Sequence, residues 1–204
     1  ADARGVGFEP PDLGDQEAMQ EDESVQAMTR ILAVRQAGRA GVTDVRDLVE
    51  AVRLAFQPSG VNDDFAVIWR AALELAWTAG DRAVIEEILA VIDSDRIHRR
   101  PAGVRAQLAR MRGLMAIEDG AGADVIEQHF ATAIDAGREW GAVPMVAQCE
   151  GDLGAWLIGQ GRVAEGEPLV ASARTVFDDL AADGWSRQLE ARLATTQEQA
   201  RLEL

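Results

Sequence analysis

The sequence predicts an all-α fold, a right-handed superhelix of about four antiparallel helix hairpins closed by a C-terminal capping helix. Three observations carry that expectation. Apolar residues recur at three- and four-residue spacing along most of the chain, which marks one buried face on each of a series of helices. Gly38, Gly80, Gly120 and Gly161 sit at the ends of such runs and lie 42, 40 and 41 residues apart. The stretch from Met145 to Trp185 reads as two amphipathic helices joined at Gly161, and the upstream chain repeats it more loosely. One hairpin cannot bury its own apolar face, whereas stacked neighbours of similar length can.

Residues 1–23 form an acidic leader that is expected to be flexible. It carries Glu9, Asp12, Asp15, Glu17, Glu21, Asp22 and Glu23 among glycines and prolines, without apolar periodicity. The abrupt start suggests a piece of a larger protein, and 24–204 is read as one helical-repeat domain. Ser24 is an N-cap candidate for a helix carrying Val25, Met28, Ile31 and Leu32 up to Gly38. A second helix from Thr43 places Val45, Leu48, Val49, Val52 and Phe56 on one face until Pro58, Ser59 and Gly60 end it. The third, from Asn62 or Asp63, carries Phe65, Ile68, Trp69, Leu73 and Trp77 to Gly80. Asp81 caps the fourth, with Ile85, Ile88, Leu89 and Ile92 together.

Pro101 opens the fifth helix, which runs through Leu108, Met111 and Leu114 to Gly120. The sixth takes Val125, Ile126, Phe130 and Ile134 towards Trp140, and Pro144 begins the seventh, with Leu153 and Leu157 on its apolar face and polar residues opposite. Gly154 lies inside that helix, a position tolerated where a neighbouring helix approaches closely. Leu169, Ala173, Val176, Phe177 and Leu180 mark the eighth. Pro168 requires that this helix begin near Glu165 or kink. The ninth runs from Trp185 through Leu189 and Leu193 to Leu202.

Charge and composition exclude several functions. The net charge is −15, from 20 basic and 35 acidic residues, and every basic residue is arginine. Such a surface repels phosphates, so direct nucleic-acid binding is not expected. No apolar run approaches the roughly 18 residues of a membrane span, and no apolar leader with a positive flank opens the chain. The single Cys149 excludes an intramolecular disulfide and fits a cytoplasmic location. Without lysine there is no phosphate-binding G-x-x-x-x-G-K-[ST] loop. His98, His129 and Cys149 cannot fill a Cys/His zinc site, and no G-x-S-x-G elbow exists. Neither catalysis nor a cofactor nor a metal is therefore expected.

Residues Arg110 to Leu193, with RMRGLMAIEDG, EQHFATAIDAGREWG, GDLGAWLIGQGRVAEGEPL and ARTVFDDLAADGWSRQLEARL, resemble the degenerate tetratricopeptide-type tails of large actinobacterial proteins. Those proteins are transcriptional regulators of the signal-transducing ATPase class and adenylate or guanylate cyclases. Leu153, Gly154, Leu157, Gly161 and Ala173 stand at the expected places of the repeat. Gly166 stands where alanine is usual, and Val170 where an aromatic is. The resemblance implies a tetratricopeptide-like solenoid that serves as a non-catalytic interaction, sensing or coupling module. Its partner would be a protein or peptide, including other modules of the same chain.

Two features give that module candidate surfaces. Trp69, Leu73 and Trp77 recur every four residues on one helix, a spacing that serves either an inter-repeat core or the lining of a groove. In tetratricopeptide-like arrays the first helix of each hairpin lines a concave groove, and the repeat register extends this stripe through Arg110, Leu114 and Glu118 to Gln148 and Ile158. The second feature is an acid-free segment holding Arg96, Arg99, Arg100, Arg105, Arg110 and Arg112. Arginine's planar fork suits carboxylate or phosphate, so this segment is a candidate anion or acidic-peptide dock, and the acidic leader is a candidate occupant. The alternative function is a regulatory domain with a small-molecule effector inside the superhelix.

Overall fold

The computed structural model describes residues 23–39, 44–55, 63–93 and 101–202, and these hold nine α-helices and no strand. They are α1 (Glu23–Arg39), α2 (Asp47–Ala55), α3 (Asp63–Ala79), α4 (Arg82–Asp93), α5 (Ala102–Glu118), α6 (Ala123–Trp140), α7 (Val143–Gly159), α8 (Val163–Asp179) and α9 (Asp183–Leu202). None is long and apolar enough to cross a membrane. The chain divides into two compact units, Ala1–Arg96 and Ile97–Leu204, where the sequence reads one repeat domain. In each unit every helix packs on its successor, and most also pack on the helix after that.

In the first unit α1 and α3 both pack on α2, and α4 packs on α2 and α3. Its core contains Ile31, Leu48, Val52, Ile68, Trp69, Leu73, Ile85 and Ile88. The face of α1 is rotated from expectation. Ala27, Ile31 and Val34 are buried at helical spacing, and Leu32 is 55% exposed. The helix begins at Glu23 and includes Gly38, so that glycine is not a turn residue. Asp44 organises the start of α2 by accepting the Arg46 backbone N–H at 3.1 Å. Asp81 caps α4 as expected, its carboxylate accepting the Val84 N–H at 3.1 Å.

In the second unit α7 is central. It packs against α5, α6, α8 and α9. The heart of this core joins Ala147, Ala155, Val170, Ala173, Phe177, Leu189 and Leu193, with the rings of Phe177 and Trp185 tilted 53° to each other at 5.8 Å. Pro101 stands just before α5, one position earlier than expected, and its carbonyl accepts the Arg105 N–H. Helix α8 runs through Pro168 from Val163, two residues ahead of the start expected near Glu165.

The described turns between helices use one device. At Gly161 the backbone is left-handed, φ 77°, its N–H bonds to the Ile158 carbonyl, and the Arg162 N–H reaches back to Leu157. Gly80 and Gly120 repeat the pattern, which satisfies helix-end carbonyls in a conformation where a Cβ is strained. The sequence missed two further copies. Gly141 ends α6 in this way, and Ala181 ends α8 with φ 49° despite carrying a Cβ.

Gly154 and Gly166 set the distance between α7 and α8. A Cβ on Gly154 would lie 2.8 Å from the Gly166 carbonyl oxygen, and one on Gly166 would lie 2.5 Å from that of Gly154. The close approach expected at Gly154 is therefore present, and it is reciprocal. Glycine at 166, in place of the usual alanine, lets two backbones touch there.

Candidate functional site

The central position of α7 decides where its polar residues go. Gln148, Glu150 and Asp152 are all at least nine-tenths buried, so the side expected to be solvated is enclosed by neighbouring helices. A buried carboxylate is tolerable only with partners. Glu150 and Asp152 both have them, on opposite sides of the helix.

Asp152 joins α5, α7 and α9. The Arg110 Nε–H donates to its Oδ2 at 2.8 Å, and Arg192 donates to its Oδ1. Arg110 is 2% exposed. Gln148, Trp185 and Gln188 complete the surroundings of this node, which encloses only about 10 Å³. That volume holds at most a water molecule.

Glu150 joins α6, α7 and α8. The Arg138 Nη2–H donates to its Oε1 at 3.1 Å, and the Ser172 hydroxyl donates to its Oε2 at 2.9 Å. These three side chains stand at one side of a recess of about 310 Å³. Val143, Val146 and Val176 supply its apolar wall, and Gly137 and Gly141 leave room beside the turn from α6 to α7. A concave apolar surface with a few convergent polar groups is the usual form of a small-ligand site.

Several of the residues expected to line a groove are buried instead. Trp69 and Leu73 are 1% and 0% exposed and belong to the core of the first unit, while Trp77 on the same helix is half-buried. A stripe of residues spaced by four cannot stay wholly on the surface once α3 is flanked by α1, α2 and α4. Arg110, Leu114 and Gln148 are buried as well, because α5 and α7 are enclosed on several sides. Arg110 and Gln148 do come together, at the Asp152 node. Ile158 packs against the second core, and Glu118 is exposed.

The described arginines of the basic segment have separate contacts. Arg105 pairs with Glu139 of α6, Arg110 with Asp152, and Arg112 lies close enough to His129 to act on it electrostatically. Partial burial, followed by the Arg112 charge, holds the His129 imidazole below its ordinary pKa. Arg96, Arg99, Arg100 and the acidic leader up to Asp22 lie outside the described residues. Cys149 is buried, with its side chain away from solvent.

Sequence reasoning missed Arg138, Glu150, Asp152, Ser172 and Arg192. One signal for the two acids was present. The stretch MVAQCEGDLGAWLI is apolar on most sides of a helix, so charged residues inside it must meet buried partners. Arg138, Ser172 and Arg192 come from other helices, and a single sequence does not show which of many exposed-looking polar residues fold over α7. No protein-family model and no curated protein sequence matches this chain.

Proposed function

We propose that the chain is a non-catalytic sensing and coupling module of a larger regulatory protein, a right-handed stack of helix hairpins akin to the tetratricopeptide-type tails it resembles. Its occupied state is read through the recess beside Glu150. The observation that carries this reading is the position of that recess, between three helices that a single buried carboxylate holds together. An occupant that engages Glu150 acts at once on α6 through Arg138 and on α8 through Ser172. The space at the Asp152 node is too small for such a role, which argues against an effector between α5, α7 and α9.

A panel of small molecules pairing an apolar group with one or two polar groups, screened by NMR on the full chain, tests this function. Binders should shift the amides of Val146, Ser172 and Val176. Ser172→Leu fills the recess from an exposed position and should abolish those shifts; because it also removes one of the two partners of Glu150, a retained helical circular dichroism spectrum checks that the fold is intact. Binders that affect the variant and the parent equally, or a panel without a binder, would contradict the reading.

A second reading is supported by Trp140 and Val143, which are 51% and 59% exposed on either side of the Gly141 turn. Exposed large apolar groups beside a recess suit the docking of a protein or peptide, including another module of the same chain. Under that reading Trp140→Ser and Val143→Ser together weaken the partner complex more than Ser172→Leu does. The reverse order of effects rejects it.

A further inference from the structure

The recess places a carboxylate, a hydroxyl and a guanidinium beside an aliphatic wall, and that combination restricts what it can hold. Glu150 and Arg138 carry opposite charges and already pair at 3.1 Å, so the wall is electrically balanced before anything binds. A ligand bearing only a negative charge would satisfy Arg138 and face the Glu150 carboxylate uncompensated; one bearing only a positive charge meets the converse difficulty. A zwitterion meets neither. Its two charges oppose the two already present.

The groups are also free to receive one. The Arg138 side chain is 62% exposed, and its Nη1 reaches Asp135 only at 4.0 Å, so an edge of the guanidinium is weakly engaged. That fork suits a carboxylate. Ser172 donates to Glu150 and keeps its own lone pairs, so hydroxyl and carboxylate together can accept an ammonium group. The volume of about 310 Å³ is at the low end for ligand sites, which limits the occupant to a small metabolite. Val146 and Val176 provide aliphatic surface, and among the described residues lining the recess none is aromatic.

We propose that this recess binds a small aliphatic α-amino acid, with its ammonium group at Glu150 and Ser172, its carboxylate at Arg138, and its side chain against Val146 and Val176. The proposal rests on the recess being a ligand site, as in the function proposed above. It goes further in naming the ligand's chemistry.

The test is an NMR titration of the full chain with L-valine, with L-valinamide, which lacks the carboxylate, and with 3-methylbutanoate, which lacks the ammonium group. L-Valine should shift the amides of Val146, Glu150, Ser172 and Val176, and should bind at least about tenfold more tightly than either analogue. Arg138→Gln, at an exposed side chain, should weaken L-valine about tenfold and should not weaken L-valinamide, whose ammonium group then no longer faces the guanidinium. Analogues that bind as tightly as L-valine, or no shift of these amides at about 10 mM L-valine, overturn the proposal. Should the small-molecule panel fill the recess where L-valine does not, the ligand class is wrong and the site stands. Should neither reach it, the site fails as well.

Discussion

Asp152 and Arg110 form a buried pair, and their stability cannot be judged by the standard of surface salt bridges. Removing one member leaves a charge enclosed among helices, which costs about 3–5 kcal/mol, whereas an exposed pair contributes about 0–1 kcal/mol. Asp152→Asn should therefore lower the urea midpoint severely, and Arg105→Ala, which breaks the exposed contact with Glu139, should hardly move it. Equal effects would mean that the Asp152 node is solvated. Trp69→Ala should cost about 3–5 kcal/mol for a different reason, the cavity left in the first core. His129 adds a pH dependence whose sign is fixed by its lowered pKa. The unfolded chain binds that proton more readily than the folded one, so the contribution is complete above about pH 6.5 and is lost as pH falls through the folded value. The stability of His129→Gln should decline less than that of the parent across this acidic window. A parallel decline would remove His129 from the account.

Among the helices, the turns and the crossing of α7 with α8 make opposite demands on glycine. At Gly154 and Gly166 the missing side chain is what lets two backbones meet, so Gly154→Ala should destabilise by about 1–3 kcal/mol even though alanine favours a helix by about 1 kcal/mol. Gly184 lies in the first turn of α9, where an added Cβ would meet nothing within 4 Å, and should instead gain about 0.5–1 kcal/mol on becoming alanine. Ala181 presents the inverse case. It holds a left-handed conformation that costs an L-residue roughly 1–2 kcal/mol, so Ala181→Gly should raise the melting temperature. At this scale much of the architecture was legible. Gly80, Gly120 and Gly161 end helices as their spacing required, and the α4 face of Ile85, Ile88, Leu89 and Ile92 is buried as the periodicity required. Gly38 was misleading because a glycine after a periodic run can also remain helical. Ala181 was invisible because alanine carries no sign of the strain its position imposes.

For the molecule as a whole, local periodicity specified the helices but not what encloses them. The sequence indicated one apolar face for α7, and the structure surrounds that helix with four others, which is why Gln148, Glu150 and Asp152 are buried. The candidate site was consequently hidden: Arg138 and Ser172 lie 12 residues before and 22 after Glu150, and only the fold brings them to it. The division into two units carries its own expectation. The Ile97–Leu204 segment expressed alone should keep a helical circular dichroism spectrum and melt cooperatively, and a gradual, uncooperative loss of signal would show that it depends on the first unit. Transmission of recess occupancy through Glu150 is measurable by amide hydrogen exchange on the full chain with and without the tightest binder of the small-molecule panel. Protection should rise together in the last turn of α6 and around Ser172 of α8, and Glu150→Gln should uncouple the two. Protection confined to α7, or unaffected by that substitution, would contradict such transmission.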